Sequence, residues 1–181
     1  MSAKEEKRME GKSEIVRWVR DVIYAYVKDR KTIPIPETLS EEVTGRKAGA
    51  FVSIHTTGHR LRGCIGTVEP TQGSLALELR SNAIAAANKD PRFPPIEPEE
   101  LDQLTISVDV LGAPEGVKDL TDLDPKAYGV IVESGFRRGL LLPDLEGVDT
   151  VAMQVSIAKR KAGIYESEPV TLYRFRVTRY H

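Results

Sequence analysis

The stretch AFVSIHTTGHRLRGCIGTV, residues 50–68, decides the fold of this chain. It holds two runs that contain β-branched residues, Ala50–Thr56 and Leu61–Val68, and the turn between them includes Gly58. Two such runs around a short glycine-containing turn predict an antiparallel β-hairpin. Because strand side chains alternate between the faces of a sheet, one face of this hairpin is apolar and the opposite face carries Cys64.

The face that carries Cys64 is predicted to be polar. Alternation places Arg62, Cys64 and Gly66 together on it. A turn of two or four residues adds Ser53 and His55 to the same face, whereas a three-residue turn without a bulge reverses the alternation of the first strand. With a two-residue turn, Ser53 lies opposite Cys64, and His55 lies opposite Arg62 and diagonal to the thiol.

Apolar residues at helical spacing predict three main helices. They are expected over Ser13–Arg30, Ser74–Asn88 and Thr150–Ala162. Ser13 and Asp149 are residue types that cap helix N-termini. In the second helix, Glu78 and Asn82 share one face, an arrangement typical of a solvated surface.

Further strand patterns complete the predicted fold class. They cover Leu104–Leu111, Gly129–Glu133, Leu140–Leu142 and Val170–Thr178. The second and third of these runs bracket a short turn and predict another hairpin. Hairpins in place of regular βαβ alternation favour an α+β fold with a largely antiparallel sheet and flanking helices.

Length and composition are those of one ordinary globular domain. The 181 residues suit a single domain over residues 13–181, and the polar residues 1–12 are expected to form a disordered tail. Apolar residues make up 40% of the chain and charged residues 29%, which is typical of globular proteins. Since no run is long enough to span a membrane and the first residues lack the apolar core of a signal peptide, we expect a cytoplasmic protein without membrane contact.

The charge balance gives no reason to expect nucleic acid as a partner. Lys and Arg number 26 against 27 Asp and Glu, for a net charge of −1. A nucleic-acid site would require the arginines of the C-terminal part of the chain to form one surface patch. The candidate patch consists of five of these arginines, Arg137, Arg138, Arg174, Arg176 and Arg179.

Cys64 is the only cysteine, which excludes an internal disulfide and any zinc site built from several thiolates. His55 and His59 add no complete ligand set to Cys64 at a standard spacing, so we predict neither a metal nor a cofactor. Two interpretations of Cys64 stay open. A nearby cation or the His55 imidazole would activate it as a thiolate nucleophile, whereas a packed cysteine would act as a small hydrophobe.

The neighbours of Cys64 suggest a ligand. Arg62, in a strand that otherwise resembles core, requires an anionic partner, either a protein carboxylate or a carboxylate or phosphate of a ligand. Gly66 is expected to leave space beside the sulfur for that ligand. Asp90 and Arg92 flank a proline at the end of the second helix, where they are expected to form a salt bridge with each other or with the helix terminus.

Five segments resemble the AMMECR family, in particular its prokaryotic branch, called AmmeMemoRadiSam system protein A. They are LRGCIGT at 61–67, DPRFPP at 90–95, YGV at 128–130, RRGLLLPDLEGV at 137–148 and KAG at 161–163. These segments lie between residues 61 and 163, the resemblance as a whole covers roughly residues 20–180, and the first segment is the most specific. Val68 departs from the family pattern, since many members carry phenylalanine there.

The resemblance implies a compact α+β fold with a larger and a smaller lobe, and it implies that the hairpin lines the cleft between them. The residues implied to line this cleft are Arg62, Gly63, Cys64, Gly66 and Thr67, with Asp90 and Arg92 beside them. The resemblance also implies association with a radical-SAM protein and a Memo protein. It names no reaction.

Three functional hypotheses remain from the sequence. In the first, the protein binds an anionic small molecule or modified substrate, with Arg62 supplying charge, the glycines giving access and Cys64 making contact. Ser53, on the same face, is counted among the ligand-binding residues of this hypothesis. In the second, Cys64 is the nucleophile of an enzyme and His55 accepts its proton. In the third, the protein is an adaptor that docks a partner protein through the same cleft.

Overall fold

The computed structural model describes the backbone of residues 3–181 and the side chains of residues 14–181. The chain forms two compact units. One comprises the chain up to Val110 together with Arg179–His181, and the other comprises Leu111–Thr178. Of the tail predicted over residues 1–12, residues 1 and 2 and the side chains of residues 3–12 lie outside the described residues, and the backbone of residues 3–12 is helical.

The described residues form an α+β fold. The helices are α1 (Ala3–Asp29), α2 (Glu41–Thr44), α3 (Leu75–Asn88) and α4 (Val151–Lys161), with 3-10 helices at Pro98–Gln103 and Leu120–Asp122. The strands are β1 (Ala50–Thr56), β2 (Leu61–Thr67), β3 (Leu104–Leu111), β4 (Glu115–Gly116), β5 (Gly129–Ser134), β6 (Arg137–Leu141), β7 (Thr171–Phe175) and β8 (Val177–Tyr180). They build two four-stranded sheets, with antiparallel pairing in both.

The first sheet has the strand order β2-β1-β3-β8. Its apolar face follows the predicted alternation, since Ala50, Val52 and Ile54 of β1 are fully buried. Helix α3 packs against β1 and β2, and α1 packs against α3. Full burial of an aliphatic side chain contributes about 1.5–3 kcal/mol relative to exposure. The apolar face therefore determines that Cys64 lies on the opposite face.

The predicted hairpin forms, but its register shifts once. Ser53 pairs with Cys64 and Ile54 pairs with Gly63, as alternation predicts. A β-bulge follows, and His55 pairs with Leu61. The prediction that His55 lies opposite Arg62 is therefore wrong, because the bulge leaves Arg62 without a partner in β1.

Helix termini agree with the sequence at α3 and differ at α1 and α4. The Ser74 hydroxyl accepts a hydrogen bond from the Leu77 N–H and so caps α3. Thr150, rather than Asp149, caps α4, because its hydroxyl oxygen accepts from the Met153 N–H. Helix α1 begins at Ala3, well before the start expected near Ser13.

The second unit contains the sheet β4-β7-β5-β6, with α4 packed against β5 and β6. Val130, Val132 and Ala158 belong to its buried apolar core. The single strand predicted over Val170–Thr178 is two strands, β7 and β8, which belong to different sheets. Arg176 separates them, and its carbonyl accepts from the Gly112 N–H.

Candidate functional site

The polar face of the first sheet carries a row of small nucleophilic groups. Ser53 pairs with Cys64 on one side and with Ser107 on the other, so all three side chains lie on the same face. Each is half-buried. The Ser53 hydroxyl donates a hydrogen bond to the Cys64 sulfur, with 3.2 Å between Oγ and Sγ. The sequence therefore predicted correctly that Ser53 faces Cys64, and the structure adds the hydrogen bond.

Asp90 and Arg92 hold the backbone of Cys64. Strand β2 lies at the edge of its sheet, where backbone groups would otherwise lack strand partners. The Cys64 N–H donates to Asp90 Oδ2 at 2.9 Å, and Arg92 Nη2 donates to the Cys64 carbonyl at 3.3 Å. The same two side chains form the predicted salt bridge, with Nη2 and Oδ2 2.8 Å apart. One acid–base pair thus anchors the edge strand at its cysteine.

The charges of this pair are strongly coupled. Hydrogen bonds from the Arg92 side chain, helped by the N–H groups of Cys64 and Arg92, outweigh burial and lower the pKa of Asp90 far below its usual range. The pKa of Arg92 is raised, because hydrogen bonding to Asp90 and the charge of that carboxylate outweigh burial. Asp90 has a side chain only 2% exposed, whereas that of Arg92 is 56% exposed. Arg92 therefore presents a solvent-accessible cation beside the thiol.

Arg62 has its anionic partner within the protein. Its Nε and Nη2 atoms lie 2.7 and 2.9 Å from the two carboxylate oxygens of Glu100. It also donates to the carbonyls of Pro94 and Pro95. Hydrogen bonding to Arg62 is the main reason that the pKa of Glu100 is lowered. Of the two partners that the sequence left open for Arg62, the structure contains the protein carboxylate, and the guanidinium ties the 94–100 segment to β2.

The two glycines of the LRGCIGT motif allow close packing. A Cβ atom at Gly66 would lie 2.1 Å from the Cδ1 atom of Phe51 on β1. A Cβ atom at Gly63 would lie 2.3 Å from the carbonyl oxygen of Ala86 on α3. The space expected for a ligand beside Gly66 is thus occupied by an aromatic ring, and Gly63 lets α3 approach the sheet.

Thr67 belongs to a buried polar cluster around Glu78. The carboxylate of Glu78 accepts from the hydroxyls of Thr67 and Thr71 and from the N–H groups of Thr71 and Gln72. Burial alone would raise the pKa of Glu78, but these hydrogen bonds outweigh it and the pKa is lowered. Asn82 donates to Thr67 and to the carbonyl of Ala50.

The expectation that Glu78 and Asn82 face solvent is wrong. Glu78 is completely buried and Asn82 is 4% exposed. The signal in the sequence is a pair of threonines, Thr67 at the end of β2 and Thr71 within the loop that leads into α3, since their hydroxyls can satisfy a buried carboxylate.

His55 is on the same strand as Ser53, but it is not the hydrogen-bond partner of the thiol. Burial, together with repulsion from His59 and Arg179, lowers the pKa of His55. Within the part of the chain that the structure describes, no hydrogen bond joins His55 to Cys64. Ser53, which the sequence assigned to ligand binding, is the side chain that contacts the sulfur.

No cluster of three or more His, Cys, Asp or Glu side chains suited to a metal ion occurs among the described residues. The helices described here also include none that is long and apolar enough to cross a membrane.

Comparison with known proteins identifies the family of this site. The profile of the AMMECR1 family matches residues 16–180. The chain belongs to the AMMECR1 family. The motif residues that hold and surround Cys64 are therefore part of an AMMECR1 domain that extends over nearly the whole chain.

Relatives of this AMMECR1 protein occur in bacteria and archaea. A protein of Thermotoga maritima is 57% identical over 173 residues, which cover 95% of this chain and 99% of that protein. A protein of Clostridium acetobutylicum is 43% identical over 176 residues, or 97% of this chain. This alignment covers only 37% of the Clostridium protein, so the domain is a part of that longer chain.

A solved structure has the same fold. The crystal structure of an uncharacterised protein of Pyrococcus horikoshii superposes with a TM-score of 0.84 and 32% sequence identity. The match covers 94% of this chain and 90% of the Pyrococcus chain.

The arginines of the C-terminal part of the AMMECR1 domain are mostly neutralised by carboxylates. The pairs are Arg137–Glu168, Arg138–Glu133, Arg174–Glu115 and Arg179–Asp109. Arg176 stacks on the ring of Tyr128 and donates to its hydroxyl. Pairing of this kind weakens a cationic surface for nucleic acid.

Proposed function

We propose that this AMMECR1 protein binds a small anionic molecule on the face of the first sheet that carries Cys64. The observation that carries this proposal is the position of the thiol between the Ser53 hydroxyl and the Arg92 guanidinium. Because the Arg92 side chain is 56% exposed, its charge is accessible to a carboxylate or phosphate.

Each side chain has a separate role in this proposal. Arg92 attracts the anion, Cys64 contacts it through sulfur, and Ser53 orients the sulfur. Asp90 keeps Arg92 in place, so it acts as a positioning residue. Both arginines are paired with a carboxylate, but the Arg62 side chain is only 13% exposed whereas that of Arg92 is 56% exposed, so Arg62 is assigned a structural role rather than the supply of charge.

A second candidate function is nucleophilic catalysis by Cys64. The Ser53 hydroxyl donates to the sulfur and the Arg92 guanidinium contacts the same residue, and a hydrogen-bond donor and a cation are the surroundings that a cysteine nucleophile requires. In this alternative the thiol proton leaves to solvent and the sulfur adds to a carbonyl carbon of the bound molecule, while the π-electron pair of that carbonyl moves to its oxygen, which takes up a proton from solvent. Arg92 and Ser53 then stabilise the thiolate, in place of deprotonation by His55.

Anion binding is tested by thermal unfolding of the full chain with phosphate, pyrophosphate, citrate and glutarate. A ligand that binds only the native state raises the unfolding temperature, and the rise increases with the logarithm of its concentration once that exceeds the dissociation constant. We expect at least one of these anions to stabilise the wild type and to slow alkylation of Cys64 by iodoacetamide. Both effects should disappear in Arg92→Gln and persist in Arg46→Gln, a matched control at an exposed arginine of the same unit.

The catalytic alternative is tested by the rate of alkylation against pH. A native thiol that reacts no faster than the urea-unfolded chain at every pH would exclude an activated nucleophile. If no anion changes either stability or alkylation, the binding proposal is wrong as well.

The implied association with a radical-SAM protein and a Memo protein is part of the same proposal, because the anion would then be a substrate or product passed between these proteins. Co-purification from the native host that is lost in Arg92→Gln, without any anion response in the isolated chain, would favour the adaptor hypothesis instead.

A further inference from the structure

A groove in the second unit lies away from Cys64 in the chain and is independent of the proposed function. It is formed by the 3-10 helix Leu120–Asp122 and by α4, and its volume is about 570 Å³. Its walls are mainly aliphatic and are formed by Leu120, Leu123, Val151, Ala152 and Val155. Small-molecule sites typically have volumes of roughly 300–1,000 Å³ and predominantly apolar walls.

The apolar lining is in contact with water. Leu120 is 56% exposed, although its neighbour in the wall, Leu123, is only 6% exposed. A leucine that is half exposed beside a concave apolar surface contributes favourably to the free energy of binding when a ligand covers it. The groove therefore offers a hydrophobic driving force for binding.

One carboxylate, that of Glu166, lies in this apolar lining. Glu166 is the charged residue of the groove, and its Oε1 accepts a hydrogen bond from the Ser156 hydroxyl. Among the described residues no salt bridge reaches this carboxylate. The backbone that carries Glu166 is anchored, because the buried Lys159 ammonium donates to the carbonyls of Glu166 and Glu168 at 2.8 and 2.9 Å.

The carboxylate determines which ligand the groove accepts. A purely apolar ligand would remove water from Glu166 without replacing its hydrogen bonds, which is unfavourable. An anionic ligand would also be repelled. A ligand with an ammonium group replaces the lost water by a charge-assisted hydrogen bond to Glu166.

We propose that this groove binds a small apolar molecule that carries one amine, with the apolar body on α4 and the ammonium group at Glu166. The volume favours a small molecule over a docked protein segment, and the anchored carboxylate favours a cation over a neutral ligand.

The test uses the full chain and three probes of equal length: n-octylammonium, 1-octanol and octanoate. Methyl NMR signals of Leu120, Val151 and Val155 report occupancy of the groove. We expect octylammonium to shift these signals and to bind roughly tenfold more tightly than octanol, which corresponds to about 1.4 kcal/mol, with octanoate weaker still.

Two variants separate the charge from the apolar wall. Glu166→Gln should remove the preference for the amine, whereas Glu146→Gln, at an exposed glutamate of the same unit outside the groove, should leave it intact. Leu120→Ser should weaken the binding of octylammonium and octanol alike. Each substitution is at an exposed side chain, so the fold is retained.

Three results would overturn the proposal. The first is the absence of methyl shifts with any probe. The second is equal affinity for the amine and the alcohol, or an equal loss in the two glutamate variants. The third is binding of an amphipathic Leu/Lys peptide without binding of octylammonium, which would make the occupant a protein segment.

Discussion

Replacement of Asp90 by asparagine tests how the Asp90–Arg92 pair holds Cys64. The Asp90 carboxylate accepts from the Cys64 N–H at 2.9 Å and from the Arg92 N–H, Nε and Nη2 at 3.0, 3.0 and 2.8 Å. Asparagine keeps the size and one acceptor oxygen, but it loses the charge. Arg92 can be rehydrated because its side chain is 56% exposed, whereas the Cys64 N–H loses its charged acceptor.

The expected loss follows from these contacts. A hydrogen bond to a charged group contributes about 1.5–3 kcal/mol, and partial replacement by the amide and by water recovers some of the total, so we expect about 2–3 kcal/mol of destabilisation at neutral pH. Urea unfolding of the two chains measures it. Asp102→Asn, at an exposed aspartate of the same unit, is the matched control and should change stability by less than about 0.5 kcal/mol.

The loss of stability caused by Asp90→Asn should become smaller as the pH falls. The pKa of Asp90 is lower in the folded than in the unfolded chain. Its contribution is therefore complete above the unfolded pKa of about 3.9, and it falls by about 1.4 kcal/mol per pH unit as the pH drops towards the folded pKa. The difference between wild type and Asp90→Asn should shrink accordingly below about pH 4.

Hydrogen exchange supplies a local measurement. The Cys64 amide should exchange faster in Asp90→Asn, while the amides of β1 that bond to β3 stay protected. The reasoning is refuted if the variant loses less than about 1 kcal/mol and the exchange of Cys64 is unchanged.

Three further substitutions test the packing around the motif. Gly66→Ala should cost about 1–3 kcal/mol in urea unfolding, because its Cβ would overlap the Phe51 ring, and a smaller cost when combined with Phe51→Ala would show the coupling. Arg62→Met should cost about 1.5–3 kcal/mol and should reduce the acid sensitivity below about pH 4.3, since Glu100 would lose the partner that lowers its pKa; an unchanged acid profile would contradict this role. Glu78→Gln should cost about 2 kcal/mol, measured the same way, because an amide nitrogen would face donor groups; a neutral effect would contradict the assigned hydrogen bonds.

The hairpin could be predicted from the sequence because its determinants are local. Alternation of apolar and polar residues is a property of the strand itself, and it placed Ser53 and Cys64 on one face without knowledge of the rest of the chain. The register beyond Ile54 could not be predicted in the same way. The bulge that displaces Arg62 coincides with its contacts to Glu100, which lies 38 residues further along the chain.

Glycine and carboxylate roles were harder to predict. Gly66 lies two residues after Cys64 in the motif, but the atom that requires it to be glycine belongs to Phe51 on the neighbouring strand. Glu78 has the spacing of a solvated helical face, yet the donors of the loop before α3 make its burial favourable. In each case the partner, and not the residue itself, determines the role.

The sequence by itself determined the fold class, the hairpin, the family and the face that Ser53 and Cys64 share. These depend on periodicity, short turns and a specific motif, all of which are local properties of the chain. Only the tertiary structure decided that Glu100 neutralises Arg62, that Arg92 remains exposed beside the thiol and that Asp90 anchors the edge strand. Charge pairing depends on distances of a few ångströms between segments far apart in the chain, and folding alone sets those distances.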